Sequence, residues 1–269
     1  MDERYPPAPP LGTLRLATIS DVPRIAVVAT ASFFYSPLFA WERRHHAQYP
    51  EDTVKDYARM FADFIRNPGT IVLVAEDTYR PDEHSKTKAV ITKNSGDKVY
   101  QEGETVVVGI AAWHLPPDSK RVGQFVNQDD LNNDAVFDGG LSRDKDLEHG
   151  KAIWSVVAEG EKRYHNSSAV YIGWLSTPSR FSHHYVLERL AVHPAYWRRG
   201  HAKRLVRWGL ELANLDRVKS GLSTEPSGDA KDLYLPLGYV KVGAVTVKDK
   251  EEPPNHVGAM FLEHDIEPL

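Results

Sequence analysis

Three cationic side chains and a glycine stand together where an apolar run passes into a helical pattern. Arg198, Arg199 and Lys203 flank Gly200, shortly after the apolar run 185–192. The first amides of a helix lack intrahelical partners and lie at the positive end of the helix dipole, and glycine allows a ligand to approach closely. These features suit a phosphate or pyrophosphate, and an ordinary strand-to-helix turn with surface arginines is the alternative.

One carboxylate interrupts the apolar run that precedes this loop. Glu188 stands two residues before Leu190, and strand alternation directs both side chains to one face. An apolar setting disfavours the charged form of a carboxylate, which makes it a stronger proton acceptor and suits a general base. Pairing with the neighbouring Arg189 is the alternative. Three histidines near predicted strands are rival bases, namely His114, His183 and His184.

The elements that must position these residues follow from hydrophobic periodicity. Residues 200–214 place small and apolar side chains on one helical face, which predicts a helix directly after the loop. Apolar runs bounded by turn residues predict seven or eight strands, including one at 89–92 and a buried central strand at 106–113. Four or five helices, in mixed order with these strands, indicate an α+β (mixed α/β) fold class.

The domain organisation is predicted to be simple. Residues 1–12 contain four prolines, which predicts an extended N-terminal arm. Residues 13–269 are predicted to form a single domain with an irregular helical insertion at about 118–184, including a helix over 144–164. The insertion lacks its own set of core elements, so we do not expect it to fold as a separate domain.

Composition excludes several classes of protein. The 269 residues carry a net charge of −4 with a pI near 6.3, which argues against a general binder of nucleic acid or membrane surfaces. The chain contains no cysteine, which excludes disulfides, thiolate zinc sites and a cysteine nucleophile. His45 and His46 are adjacent rather than spaced for zinc, and we predict no metal site.

Targeting signals are not evident in the sequence. No apolar run reaches the roughly 18 residues of a membrane-spanning helix. The charged and proline-rich N-terminus has no apolar core of a signal peptide. We therefore expect a cytoplasmic location.

The stretch LAVHPAYWRRGHA resembles the acetyl-CoA-binding segment of the GNAT-type N-acetyltransferases. That segment is a strand ending L-x-V-x-P, a loop [QR]-x-x-G-x-[GA] and a helix. The matching positions here are Leu190, Val192, Pro194, Gly200 and Ala202. Trp197 replaces the usual Gln or Arg. Because backbone amides bind most of the phosphate in such a loop, this departure weakens the match only slightly.

A second motif follows about thirty residues later in the chain. The next helix of the family typically reads N-x-x-A-x-x-L-Y-x-x-L-G-[FY]. The matching positions here are Ser227, Ala230, Leu233, Tyr234, Leu237, Gly238 and Tyr239. Ser227 replaces the asparagine, and Pro236 departs from the usual lysine. Two ordered motifs are far more specific than either one alone.

The resemblance implies a fold and a co-substrate. The implied fold is a central mixed, mostly antiparallel seven-stranded sheet with one splayed strand pair, flanked by helices. Acetyl-CoA is the implied co-substrate, with its pyrophosphate over the loop and its pantetheine arm paired with the backbone of Leu190 and Val192. The implied cofactor-binding residues are Leu190, Ala191, Val192, Arg198, Arg199, Gly200, His201, Ala202, Lys203 and Ser227.

The resemblance also implies a mechanism, in which an amine attacks the thioester directly in a ternary complex. Tyr234 occupies the position of the usual acid for the leaving thiolate, and a core aromatic residue is the alternative. Glu188 lies near the strand glutamate that often serves as the base, directly or through water. The absence of cysteine agrees with direct transfer.

The acceptor is predicted to be a small-molecule amine. Aromatic side chains in the first helical region and in the insertion are candidates for its pocket, and each is also a candidate for the core. The candidate substrate-binding residues are Phe34, Tyr35, Trp41, His114, Trp154 and Trp174.

Three alternatives to this function differ in how well the sequence supports them. A protein or peptide amine is the nearest alternative acceptor, and a non-catalytic acyl-CoA-binding module is the alternative from another class. A Rossmann-type nucleotide binder is disfavoured, because no G-x-G-x-x-G follows the first strand. Acetyl-CoA and the amine are the only predicted small partners, and we expect a monomer or a homodimer.

Overall fold

The computed structural model describes residues 6–92, 98–165, 184–226, 230–247 and 257–266. Helices and strands alternate irregularly along this part of the chain. In chain order they are β1 (Leu14–Leu16), α1 (Val22–Phe33), α2 (Pro37–Glu42), α3 (Pro50–Arg66), β2 (Thr70–Thr78), β3 (Thr105–His114), α4 (Gln128–Leu131), α5 (Leu147–Tyr164), β4 (His184–Val192), α6 (His201–Leu215), β5 (Lys219–Thr224), α7 (Ala230–Tyr234), β6 (Val240–Thr246) and β7 (Gly258–His264).

One sheet of seven strands organises the molecule, in the order β1-β2-β3-β4-β5-β7-β6. Every neighbouring pair is antiparallel except β4 and β5, which are parallel. The pairing of β4 with β5 ends at Val186 and Gly221, although both strands continue beyond that point. The two strands therefore diverge and leave a gap. The predicted mixed sheet with one splayed strand pair is confirmed.

A β-bulge interrupts β4 beside this gap. Leu187 lies opposite Trp113 and Arg189 lies opposite Ala112, so Glu188 is the extra residue on β4. Leu187 packs in the α6-side core and Leu190 packs against that same core, although they stand three positions apart. Simple alternation across Glu188 therefore fails. The expectation that Glu188 and Leu190 share one face is wrong, because Glu188 is itself the extra residue and the alternation of side chains is interrupted there.

Helix α6 packs very closely against one face of the sheet. Its apolar face belongs to the same core cluster as Trp113 of β3. A Cβ atom on Gly209 would lie 2.2 Å from the Trp113 ring, so only glycine allows this approach. Helices α1 and α3 cover a second cluster of sheet residues, which includes Ala191. The loop before α6 is thereby fixed at the end of β4.

The predicted insertion contributes α4 and α5. The predicted helix over 144–164 corresponds to α5, which begins at Leu147 because the Asp146 side chain accepts hydrogen bonds from the first amides. Ile153 and Val157 of α5 pack with Phe261 of β7, so the insertion covers part of the main sheet. This sharing of one core agrees with the single-domain prediction, which remains a prediction.

The predicted strand at 89–92 is wrong. This segment has no strand conformation, and the amide of Val90 donates instead to Nε2 of His46. Both edges of β3 are already paired, one with β2 and the other with β4. The apolar run therefore had no edge of β3 to join, whatever its intrinsic preference for strand structure.

Candidate functional site

The loop between β4 and α6 turns sharply twice. Arg198 and Gly200 have φ angles of 62° and 84°, both in the left-handed region. Helix α6 has no side-chain cap, and its first amide with an intrahelical acceptor is that of Arg204, which bonds the Gly200 carbonyl at 3.1 Å. The amides of residues 201–203 therefore have no helical partner. The predicted arrangement of an uncapped helix start behind a glycine is present.

The cations around this helix start differ in how they are neutralised. Asp77 accepts hydrogen bonds from Arg199 at 3.1 Å and from His201 at 2.9 Å. His201 is buried, and burial lowers its pKa below the ordinary histidine value. Arg198 and Lys203 form no ion pair within the described part of the chain. Arg204 and Arg207 of α6 also form no ion pair among the described residues, so all four side chains supply unneutralised positive charge near the loop.

Trp197, the residue that departs from the GNAT-type loop pattern, joins this loop to the strand before it. Its indole N–H donates to the Val192 carbonyl at 2.6 Å, and its ring makes an edge contact with Tyr35 at 5.2 Å between centroids. The N–H of Val192 donates to Oγ of Ser32 at 3.4 Å. The indole of Trp197 thus joins the loop to the end of β4 through both a hydrogen bond and a ring contact.

The backbone of β4 faces the gap at alternate residues. The N–H of His193 donates to Val108 on β3, so Val192 points away from β3 toward Ser32 and Trp197. Leu190, two positions earlier, has the same orientation. Ala191 is buried in the core on the α1 side. A ligand in the gap can pair with Leu190 directly, whereas at Val192 it must share the carbonyl with Trp197.

Tyr234 reaches the same core cluster from helix α7. Its ring packs with a group that also includes Leu187 of β4 and Leu205 of α6. The hydroxyl has no hydrogen-bond partner among the described residues. Burial raises the pKa of Tyr234 above its ordinary value, so the side chain stays protonated at neutral pH. Ser227, predicted from the same motif, lies outside the described residues.

Glu188 forms an ion pair with its neighbour on β4. Arg189 donates to Oε1 of Glu188 at 2.7 Å, which is the alternative that the sequence left open. The guanidinium of Arg189 also lies over the ring of Trp154, 5.8 Å from its centroid. The indole of Trp154 in turn donates to Oε1 of Glu42 at 3.5 Å. One strand residue and two helices thus meet beside the bulge.

His114, the rival base from β3, lies close to this pair. Its Nδ1 is 2.9 Å from the hydroxyl of Thr70, and its ring contacts the edge of Phe64 on α3. Burial lowers the pKa of His114 below the ordinary value, while the charges of Glu188 and Arg189 act in opposite directions. His114 and Glu188 are therefore brought together by the pairing of β3 with β4.

The other two candidate bases, His183 and His184, are not found beside Glu188 in the described residues. Nε2 of His184 lies 2.6 Å from a carboxylate oxygen of Glu263 on β7, at the start of β4. His183 lies outside the described residues. The geometry thus pairs His184 with β7 rather than with Glu188.

The predicted pocket residues fall into different surroundings. Phe34 packs against Phe39 and His46, and the exposed Tyr35 contacts Trp197. Trp41 is buried and stacks on His149 of α5 at 3.8 Å, which makes it part of the contact between α2 and α5. Trp174 lies outside the described residues.

Tyr57 of α3 and Glu42 of α2 lie near the group formed by Glu188, Arg189 and Trp154, and neither was a candidate site residue from the sequence. Tyr57 of α3 is buried beneath the guanidinium of Arg43, and burial raises the pKa of Tyr57 to about 12. The charges of Glu42 and Arg189 also act on Tyr57. No spacing in the sequence links Tyr57 to Glu42.

The described residues contain no group of three or more histidine or acidic side chains that could hold a metal ion. None of their helices is long and apolar enough to cross a membrane.

Comparisons with known proteins bear on this geometry. The profile of the Acetyltransferase (GNAT) family matches residues 131–239, which include the loop and the Tyr234 motif. An acetyltransferase from Stachybotrys chartarum is 32% identical over 248 residues, covering 91% of this chain and 88% of that protein. The chain belongs to the GNAT acetyltransferase family. It is therefore an acyltransferase, and the family uses acetyl-CoA as its acetyl donor.

Solved structures resemble this acetyltransferase in fold. The polyamine N-acetyltransferase of Drosophila melanogaster aligns with a TM-score of 0.50 and 13% identity, covering 94% of this chain and 99% of its own. A structure from Corynebacterium glutamicum, described as histone acetyltransferase HPA2 and related acetyltransferase, has a TM-score of 0.48 and 16% identity. That match covers 96% of this chain and 97% of the other. At such identities the likeness concerns the fold alone.

Proposed function

We propose that this acetyltransferase transfers the acetyl group of acetyl-CoA directly to the amine of a small molecule in a ternary complex. The observation that carries the proposal is the convergence of two features beside the gap between β4 and β5. The uncapped start of α6 supplies amides and cations, and Tyr234 supplies a protonated hydroxyl from α7. These are the two halves of a thioester-binding and thiolate-protonating site.

The α6 N-terminus fits the pyrophosphate of acetyl-CoA. Amides of residues 201–203 lack helical partners, and the charges of Arg198 and Lys203 are not neutralised by the described residues. A cleft of about 580 Å³ borders the loop and includes Gly200 and Arg207 in its walls. Backbone groups of Leu190 would hold the pantetheine arm in the gap, as an added strand would.

Proton transfers on both sides of the reaction are assigned to side chains near the gap. The Tyr234 hydroxyl would protonate the thiolate as the carbon–sulfur bond breaks, since it is protonated and unpaired. The attacking amine must lose a proton, and Glu188 and His114 are the two groups beside the bulge that could receive it. With no cysteine in the chain, a thioester intermediate on the enzyme is excluded.

The contacts between the insertion and helices α2 and α3 favour a small-molecule acceptor. Asp144 in the insertion is buried and accepts hydrogen bonds from Arg43 and from Thr53. Trp41 of α2 stacks on His149 of α5. These contacts hold α5 beside α2, with Trp154 next to Arg189 at the bulge. An acceptor site with such an aromatic wall would accommodate a small amine more readily than a folded protein surface.

An acceptor panel tests this proposal. Purified enzyme would be incubated with acetyl-CoA and with aromatic amines, aliphatic amines, or peptides bearing a free N-terminus or lysine, and free thiol would be measured. We expect turnover with at least one small amine at a kcat/KM well above that of any peptide. Turnover confined to peptides would overturn the small-molecule assignment. Absence of turnover together with no calorimetric binding of acetyl-CoA would overturn the whole proposal.

Several further properties remain proposals. We infer a cytoplasmic enzyme that acts as a monomer or homodimer, with one catalytic domain over residues 13–269. Gel filtration with light scattering would decide the oligomeric state. Localisation of a tagged full-length chain would decide the compartment.

A further inference from the structure

Two buried histidines of this protein each contact a threonine hydroxyl through Nδ1, but they differ in what surrounds the second ring nitrogen, Nε2. His46 has Nδ1 at 2.8 Å from the Thr53 hydroxyl, and its Nε2 accepts the Val90 amide at 3.2 Å. His114 has Nδ1 at 2.9 Å from the Thr70 hydroxyl. Its Nε2 has no hydrogen-bond partner among the described residues. Both ring nitrogens of His46 are thus hydrogen-bonded within the fold, whereas Nε2 of His114 can bond another molecule.

The position of His114 connects that nitrogen to the predicted chemistry. It ends β3, opposite Val186, at the point where the pairing of β4 with β5 stops. Glu188 lies two residues further along β4, at the bulge, and its charge acts on His114. The ring of Phe64 closes one side. The groups that face His114 are Glu188 and Arg189 from β4, Thr70 from β2 and Phe64 from α3.

Glu188 is poorly suited to accept a proton itself. Its carboxylate is already paired with Arg189 at 2.7 Å, and protonation would break that charge-assisted bond. An ion-paired carboxylate can still accept a hydrogen bond from an ammonium group, and so it can orient an amine. If Glu188 orients the amine, a neutral group nearby must accept the proton.

We infer that His114 is the general base that takes the proton of the acceptor amine through Nε2, while Glu188 positions the amine. This inference rests on the proposed function. In the required tautomer, Nδ1–H donates to the Thr70 hydroxyl and Nε2 carries the lone pair. The same hydroxyl can accept from Nδ1–H after His114 becomes charged, so Thr70 stabilises the imidazolium as well.

The proton and electron movements balance. The proton on the amine nitrogen moves to Nε2 of His114, and the freed lone pair attacks the thioester carbon. The carbon–nitrogen bond forms and the carbon–sulfur bond breaks, with the sulfur electron pair taking the proton of the Tyr234 hydroxyl. The nitrogen loses its second proton to solvent as the amide forms. His114 then returns its proton to solvent and Tyr234 regains one from solvent, which restores both groups.

The pH dependence of kcat tests the assignment. Only neutral His114 can accept a proton, so kcat should rise with pH and then reach a plateau. The rising part of this profile, the acid limb, should lie below pH 6.5, because burial lowers the pKa of His114. His114→Gln should lower the plateau by about 100-fold and remove the limb. Thr70→Val should lower kcat less than His114→Gln does. Thr70→Ser keeps the hydroxyl and should have a kcat close to that of the wild type. Acetyl-CoA affinity by calorimetry should be unchanged in all three.

Two variants separate this role from a structural one. His46→Gln removes the matched histidine, and it should lower the melting temperature while leaving the limb in place. Glu188→Gln should keep the limb but move it to lower pH, because the negative charge that raises the pKa of His114 is gone.

A retained plateau and limb in His114→Gln would overturn the inference while leaving the proposed acetyl transfer intact. Loss of the limb in Glu188→Gln would assign the base to Glu188 instead. Absence of any turnover in the wild-type enzyme would count against the proposed function rather than against His114 alone.

Discussion

Two groups of cationic side chains in this enzyme differ in what surrounds them. Arg43 and Lys145 are buried and paired, Arg43 with Asp56 and Asp144, and Lys145 with Asp56 at 2.8 Å. Arg198 and Lys203 at the start of α6 have no acidic partner in the described part of the chain. The first group links α2 and α3 to the insertion, and the second leaves its charge for a ligand.

The comparison teaches how to separate structural charge from functional charge. Burying an ion is costly unless a partner and hydrogen bonds compensate for lost hydration, so a buried cation points first to its partners. An exposed cation beside unpartnered amides costs the fold little, and it retains its full capacity to bind an anion. Variants of the two groups, and of the site residues Tyr234 and Trp197, should therefore differ in the size of their effects, with the buried pair the most sensitive.

Removal of Arg43 should have the largest effect. Arg43→Met leaves Asp144 and Asp56 buried without their guanidinium, which should lower the free energy of unfolding by about 3–5 kcal/mol. Urea unfolding followed by circular dichroism measures the change. The control is Lys151→Ala, since the exposed pair of Lys151 with Glu148 on α5 should contribute less than about 1 kcal/mol. Equal losses in both variants would contradict a structural role for the buried pair.

Tyr234→Phe should reduce chemistry without reducing stability. Loss of the proton donor should lower kcat by about 100-fold, whereas loss of an unpaired hydroxyl should leave the melting temperature unchanged. Steady-state thiol release and thermal unfolding measure the two quantities. The matched control is Tyr239→Phe, whose hydroxyl bonds Ser220 at 2.6 Å, and which should lose stability while retaining kcat. An unchanged kcat in Tyr234→Phe would place the acid elsewhere.

The combined variant Arg198→Ala and Lys203→Ala should weaken acetyl-CoA binding. We expect a roughly tenfold higher Kd, equivalent to about 1.4 kcal/mol, with a smaller dependence on salt concentration than the wild type. Calorimetry at two ionic strengths measures both. The double variant Lys55→Ala and Lys162→Ala, which removes two exposed lysines from α3 and α5, serves as the control for net charge. The same Kd in the double variant and the wild type would remove these cations from the binding site.

Trp197→Phe should have the smallest effect. The phenyl ring can keep the contact with Tyr35, but the hydrogen bond to the Val192 carbonyl is lost. A net loss of about 1 kcal/mol in unfolding free energy is expected from one neutral hydrogen bond. Thermal unfolding of the enzyme without acetyl-CoA measures it. A variant as stable as the wild type would mean that the loop does not depend on this bond.

Much of the fold and half of the candidate site could be predicted because they are local in the chain. The strand, the loop and α6 follow one another directly, so apolar periodicity and Gly200 were enough to predict an uncapped helix start. The prediction of a splayed strand pair came from the family resemblance rather than from any pattern of spacing. The strand at 89–92 was wrong because strand propensity does not reveal whether a sheet edge is free.

Sequence by itself determined the family, the acetyl-CoA loop prediction and Tyr234 as the candidate acid, since each depends on residue types at fixed short spacings. Only the tertiary structure decided which residues surround the proposed binding site of the acceptor amine. The bulge at Glu188, the pairing of His114 with Thr70 and the attachment of Asp144 to Arg43 join residues far apart in the chain. Such contacts depend on strand register and helix packing, and a single sequence carries no short-range signal for either.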